Sequence, residues 1–483
     1  MTLPLLGHLA VILAAVPAAS APTPPLILTH VTVIDATGTP AQPDMALVIA
    51  GGRIAELAKT AAVRRPSGAR VVDAAGKFLI PGLWDMHVHW YDEPSLRLFT
   101  VNGVTGVRIM FGYPLHLDWR NDLKSGKVLG PRLVLAGPVV DGPKAVWPDS
   151  IRVVDEDEGR RAVRSIHERG FDLVKVYHLL PRSAYFGIAD EACKLGLTFG
   201  GHVPLSLTAG EASEAGQKTI EHLSGVSLAC SRKGADLARE LMLASQHQDA
   251  VDPALLLRFE VQAEDSYDAQ KAQQLFARFV KNGTWQVPTL AVRQSHALLG
   301  AQTPVNERRL HYMPPALQGR WESRRRATFK KLTPEDFANF HRSLKKHLEL
   351  VGAMHRAGVG MLAGTDTGAL DCYPGFSLHD ELELFVKAGL TPMEALQTAT
   401  RNPAVCLNKL DDLGTIERGK LADLVLLDAN PLDDIRNTTR IHAVFVNGRF
   451  LLRDKLAAML AGVEAANRQR KDSKPPGAYS KYP

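Results

Sequence analysis

Apolar and polar positions change their rhythm along this chain. Over residues 26–35 and 46–54, β-branched and apolar residues alternate with polar ones, so both read as strands, the second broken by a Gly51-Gly52 turn. Residues 71–80 carry the same pattern into a further strand. From there, short apolar runs alternate with helical stretches, the signature of βα units and a parallel sheet. Eight such runs lie at 79–88, 105–110, 132–139, 173–177, 197–202, 219–223, 285–290 and 359–364. Helical spacing marks 158–169, 189–195 and 267–282 between them. This pattern predicts an α/β fold, a (β/α)8 TIM-type barrel. Residues 422–428 and 441–449 are strand-like again and are expected to join the first strands in a small composite β-sandwich module.

The expected boundaries follow. Residues 22–80 and 413–455 form the two parts of the module, 81–412 form the barrel, and 456–483 form a polar tail, disordered beyond about Glu464. Residues 9–19 are an uncharged apolar run, too short to span a bilayer, and Ala18-Ala19-Ser20-Ala21 follows. Residues 1–21 therefore read as a secretory signal, although no Lys or Arg precedes the apolar run. The expected location is periplasmic or secreted, with a cytoplasmic protein bearing a disordered leader as the alternative.

The chain has 483 residues, 45% hydrophobic and 22% charged, enough for one large core. A net charge of +6 is small for this length, and no basic stripe alternates with aromatic residues, so nucleic acid is not indicated. Cys193, Cys230, Cys372 and Cys406 are widely spaced without a CxxC, which argues against a disulfide framework or a cysteine zinc site. The connection 294–334 is long and holds Gln318-Gly319-Arg320-Trp321-Glu322-Ser323-Arg324-Arg325-Arg326. Its plain reading is a solvated basic segment; the sharper reading is a lid that attracts an anionic substrate group.

Candidate chemistry starts at Ile80-Pro81-Gly82-Leu83-Trp84-Asp85-Met86-His87-Val88-His89. Side chains at i and i+2 of a strand share a face, so His87 and His89 project together and could hold a metal. Lys175 interrupts the apolar strand 173–177, where a buried ammonium is costly. It is either a lysine reaching solvent at the strand mouth or a neutral amine that has become a carbamate. His202, His222 and Asp366 also stand at carboxyl ends of expected strands, where catalytic groups of this fold gather. Each alone could be a capping or hydrogen-bonding residue.

Taken in order, residues 81–89, Lys175, His202, His222 and Gly364-Thr365-Asp366 resemble the amidohydrolase superfamily, in particular its imidazolonepropionase-like and prolidase-like branch. Gly103-Val104-Thr105-Gly106-Val107-Arg108, Val287-Pro288-Thr289-Leu290 and His379-Asp380-Glu381-Leu382-Glu383-Leu384 add to the resemblance, as does 414–424. The resemblance implies two divalent metal ions, most simply Zn2+. His87, His89 and Asp366 would hold the first, His202 and His222 the second, and a CO2-derived carbamate on Lys175 would bridge them. One departure is Ile109, after Arg108, where relatives often carry an acidic residue.

The resemblance further implies hydrolysis of an amide C–N bond by water activated between the two metals. Asp366 is the expected proton carrier, because an amine leaves poorly without protonation. Tyr177 lies at i+2 from Lys175; it could donate to the developing oxyanion or simply pack. His178 and His379 are expected to be structural. The implied substrates are small molecules or short peptides: Xaa-Pro or Xaa-Lys/Arg dipeptides, N-acyl amino acids or ochratoxin-like amides. A cyclic-amide hydrolase of the imidazolonepropionase type is the alternative, and Lys175 disfavours it. A non-catalytic binding protein on the same fold is the alternative of another class. No stable membrane span is expected, and a homo-oligomer is compatible with the chain.

Overall fold

The computed structural model describes residues 24–246, 253–300, 307–329 and 332–471. The expected leader, 1–21, and the last residues of the expected tail lie outside them. Leu26–Val33 pairs antiparallel with Gln42–Ala50, which pairs in turn with Arg53–Lys59. On its other edge Leu26–Val33 runs parallel to Arg70–Asp73 and then to Phe78–Pro81. Leu424–Leu427 pairs antiparallel with Phe78–Pro81, and Ile441–Val446 and Arg449–Leu452 follow it. Strands from the two ends of the chain therefore build one eight-stranded sheet. Leu424 and Leu426 pack with Leu28, Leu47 and Phe445, whereas Val425 and Leu427 join the large core of the βα units. This alternation is the period-2 consequence of a strand buried on both faces.

The parallel strands follow Phe78–Pro81 directly. Leu83–Val88, Val104–Ile109 and Arg132–Leu135 lie side by side, and Leu173–Val176, Thr198–Gly201, Thr219–Glu221 and Trp285–Val287 form a second parallel series. A bridge from Ala136 to Leu173 joins the two. The expected strand at 285–290 stops at Val287, because Thr289 takes a left-handed backbone (φ 48°) and the helix Leu290–Ala297 begins. The expected eighth strand, 359–364, does not form a regular ladder. Met361 makes one parallel bridge to Gln286, and the Leu362 N–H donates to Gln286 O at 2.9 Å. On the other side the Met86 N–H donates to Ala363 O at 2.8 Å. The segment is squeezed between its neighbours: a Cβ on Gly364 would lie 2.5 Å from Val287 Cγ1 and 3.0 Å from the His87 nitrogen.

Three helical regions depart from the sequence reading. Gly234–Gln246 and Pro253–Asp265 are inserted after Thr219–Glu221. The stretch read as a long loop contains the helices Glu307–Leu310 and Pro315–Phe329, followed by Pro334–Arg356. The third departure corrects the expected tail as far as Lys471: Arg453–Lys471 is a helix, and residues 472–483 lie outside the described residues. Its Leu456 and Met459 pack against Val101, Val444 and Val446, and Val463, at i+7 from Leu456, is buried as well. That stripe outweighs the polar composition of the other face. Among the described residues, no helix is long and apolar enough to cross a membrane.

Candidate metal centre

All six candidate donors lie at the carboxyl ends of the parallel strands or just beyond them. His87, Lys175 and His202 are buried, His89 and Asp366 are partly so, and His222 follows the strand Thr219–Glu221. His87 Nε2 and His89 Nε2 are 3.1 Å apart and lie 3.5 and 3.2 Å from Asp366 Oδ1. His87, His222 and Asp366 each offer a ligand atom, all within 4.8 Å of one another. The His202 ring lies 4.8 Å from that of His222, so the second pair adjoins the first.

The backbone aims these groups by unusual means. His222 (φ 58°), Leu223 (φ 54°), Thr289 (φ 48°) and Asp366 (φ 57°) are all left-handed, a conformation held at functional sites by the surrounding structure. The Gly200-Gly201 pair that precedes His202 permits a close approach. A Cβ on Gly201 (φ +139°) would fall 2.2 Å from Val176 O and 3.0 Å from Lys175 Cδ. Asp85 ties the first strand to the last loop, accepting from the Thr365 N–H at 3.0 Å and the Thr365 hydroxyl at 2.6 Å.

A shell of partners orients the imidazoles. His87 donates its Nδ1–H to Glu221 Oε2 at 2.6 Å. Glu221 is in turn held by Arg108 (2.8 Å) and Thr219 (2.5 Å), and Arg108 also donates to Met86 O at 2.7 Å. His222 Nδ1 lies 2.7 Å from Thr289 Oγ1. Because that hydroxyl already donates to Pro288 O, it accepts from His222 and leaves the His222 Nε2 lone pair toward the cavity. His202 Nδ1 meets His178 Nε2 at 2.7 Å. Ring partners of this kind set the tautomer and aim of metal-ligating histidines. Sequence reasoning gives Arg108 and Glu221 no role and expects His178 to be structural, whereas here it partners His202. Arg108 and Glu221 carried the signal that singled out Lys175, a charge inside an apolar strand. Ile109, the departure from the family pattern, is fully buried in the core and does not line the cavity.

Electrostatics favour metal binding. Burial holds His87 and His202 well below the usual imidazole range and lowers His222 to about 4, so all three are neutral ligands at pH 7. Burial also lowers the Lys175 amine to about 8. Its Nζ is 1% exposed by residue and has no hydrogen-bond partner among the described residues. Burial pushes Asp366 upward, but the hydrogen bond from His89 is the largest opposing influence, and its carboxyl lies far below the usual range. Neutral imidazoles, an ionised carboxylate and an orphaned amine together fit a divalent-metal site.

Tyr177 lines the same cavity, its ring 4.2 Å from that of His202. Its oxygen shares a hydrogen bond with Trp147. An indole only donates, so the phenol O–H remains available to a substrate. His379 lies elsewhere, bonded to Thr438 Oγ1 (2.9 Å) and Asn102 O (3.1 Å), which agrees with a structural role.

A chain of βα units that brings these donors to one cavity has the form of a TIM-barrel-type fold. A family model described as the amidohydrolase family matches residues 78–451. The chain belongs to the amidohydrolase family. Among curated proteins it is similar to the ochratoxinase of Aspergillus niger, 34% identical over 107 residues. That alignment covers 22% of this chain and 21% of the ochratoxinase, so the match spans about a fifth of the relative. Among solved structures it is similar to a bottromycin amidohydrolase, with a TM-score of 0.72 at 22% identity over 91% of this chain and 90% of that one. A putative prolidase from Bifidobacterium longum gives a TM-score of 0.64 at 24% identity, over 92% and 100%.

Proposed function

We propose that this protein hydrolyses the amide bond of a small amino-acid conjugate, a dipeptide or an N-acyl amino acid, at a centre of two divalent ions. His87, His89 and Asp366 would hold one ion, His202 and His222 the other, and a carbamate on Lys175 would join them. The observation that carries this reading is the Lys175 amine, buried without a partner beside His87 and Asp366. The neutral fraction of an amine lowered in this way can add CO2 and bring a second negative charge beside that of Asp366. Zinc is the metal best matched to imidazole and carboxylate ligands. When bound, the ions would supply Lewis acidity and an activated water.

The chain's own groups supply the rest. Asp366 takes the proton of the attacking water and delivers it to the departing nitrogen. Tyr177 offers its O–H to the carbonyl oxygen as charge develops there. In the same reading residues 81–412 form one closed (β/α)8 barrel, with 359–366 as its irregular eighth member. The eight-stranded sheet, built from 22–80 and 413–455, folds into a sandwich, and residues 1–21 direct export.

Metal analysis of the purified protein after reconstitution tests the centre. Fewer than about one transition-metal ion per chain sinks the proposal. Lys175→Ala should abolish turnover of Xaa-Pro, Xaa-Lys and N-acyl amino acid substrates, with partial rescue by short carboxylic acids. Unchanged turnover in that variant rejects the carbamate.

A further inference from the structure

The donors open onto a cavity of about 750 Å3, within the range of roughly 300–1,000 Å3 that takes a drug-sized ligand. Much of its wall comes from the two inserted helices, Gly234–Gln246 and Pro253–Asp265, which present Ala238, Leu241, Leu256 and Phe259. Val292 and Phe340 also line it. This wall is far more apolar than proton transfer at the donors requires.

Charge within the cavity is distributed unevenly. Among the described lining residues, Asp366 and Glu260 are the carboxylates. Asp366 belongs to the donor cluster, and Glu260 accepts both Arg293 nitrogens at 2.8 and 2.9 Å. The Lys271 amine donates to Ser231 O at 2.9 Å. Arg324 also lines the cavity, with no ion-pair partner among the described residues. Its helix, Pro315–Phe329, is fixed over the loop that follows Asp366 by two contacts. Trp321 Nε1 donates to Gly368 O at 3.2 Å, and Arg325 donates to Asp371 at 2.6 Å.

An amino-terminal ammonium entering this cavity would find, among the described residues, an apolar wall and no uncommitted carboxylate, which is costly for a buried charge. An aliphatic chain would gain by leaving water. A carboxylate on the amino-acid half would meet Arg324. We infer that this cavity takes an N-acyl amino acid, its aliphatic acyl chain against the wall of the inserted helices and its free carboxylate toward Arg324. The inference rests on the amide-hydrolase reading and narrows it to one substrate class. In the reaction, the amide C–N bond breaks and a C–O bond forms from water. The water's proton passes through Asp366 to the nitrogen, releasing a fatty acid and a free amino acid.

Binding can be measured apart from turnover. Full-length Asp366→Asn protein is titrated calorimetrically with N-acetyl-, N-butyryl-, N-hexanoyl- and N-octanoylglycine, and propionylglycine is compared with Ala-Gly. Affinity should rise about fourfold per added CH2, the factor that corresponds to ~0.8 kcal/mol each. Propionylglycine should bind at least about tenfold more tightly than the dipeptide. Ala238→Trp should remove most of the gain for octanoyl and spare acetyl, and Arg324→Gln should weaken every member of the series. Affinity that is flat from acetyl to octanoyl, or a preference for Ala-Gly, overturns the inference. The metal-loaded native enzyme is assayed on the same compounds. Flat binding with brisk hydrolysis leaves the hydrolase reading standing, whereas graded binding without hydrolysis supports the acyl site and rejects the hydrolase reading.

Discussion

Replacing Arg108 with methionine isolates the support beneath the metal centre. Arg108 is 2% exposed, and its guanidinium reaches Met86 O, Thr219 Oγ1 at 3.1 Å and Glu221 Oε1 at 2.8 Å. Methionine keeps much of the apolar bulk and strands the Glu221 carboxylate, which is fully buried, without its cation. Breaking a buried pair from one side costs about 3–5 kcal/mol. At roughly 1 kcal/mol per degree for a chain of this size, melting of the metal-free protein should fall by about 3–5 °C. Because Glu221 also receives His87 Nδ1–H, metal affinity should drop by about 10–100-fold. Arg108→Met combined with Glu221→Gln removes the stranded charge, so much of the stability should return while metal affinity stays low. Thermal unfolding and chelator-competition titration read the two effects separately. An Arg108→Met protein with native melting and native metal affinity would refute the coupling, as would a double variant less stable than Arg108→Met.

Two further predictions concern regions away from the metal. Burial, with Glu260 adding, pushes the Glu264 carboxyl up to about 8. The folded chain then binds more protons than the unfolded chain between about pH 4.5 and 8, so this group's contribution to stability falls as pH rises through that window, by at most roughly 5 kcal/mol. Glu264→Gln should flatten the melting temperature between pH 5 and 8, and an unchanged slope counts against the burial argument. On the last helix, Leu456→Ala or Met459→Ala should each cost about 2–4 kcal/mol in urea unfolding, because both side chains are buried. A cost below about 0.5 kcal/mol at both sites would show that the helix does not belong to the core.

Much of the candidate metal site is legible in the sequence before any folding. The histidine pair at 87 and 89 is visible because strand periodicity puts alternate residues on one face. Lys175 stood out because a charge interrupts an apolar strand. The same rule applied to Arg108 and Glu221, yet their meaning depends on a contact between strands more than a hundred residues apart. Arg453–Lys471 was misjudged because its buried stripe is narrow amid polar residues and gains its energy only where Val101 and Val444 meet it.

Local pattern, then, decides which residues are strands, which side chains share a face and which groups stand at strand ends, since those follow from the two-residue repeat and from breakers such as Gly201 and Pro204. Packing decides what local pattern cannot. It settles which imidazole nitrogen faces the cavity, because Glu221, Thr289 and His178 capture the others. It turns the helices at 234–246 and 253–265 into the wall of a cavity, and it brings Arg324 to that cavity on a helix tied to the loop after Asp366 by Trp321 and Arg325. The physical reason is range: backbone periodicity acts over a few residues, whereas ligand geometry and desolvation arise between segments that only the folded chain brings together.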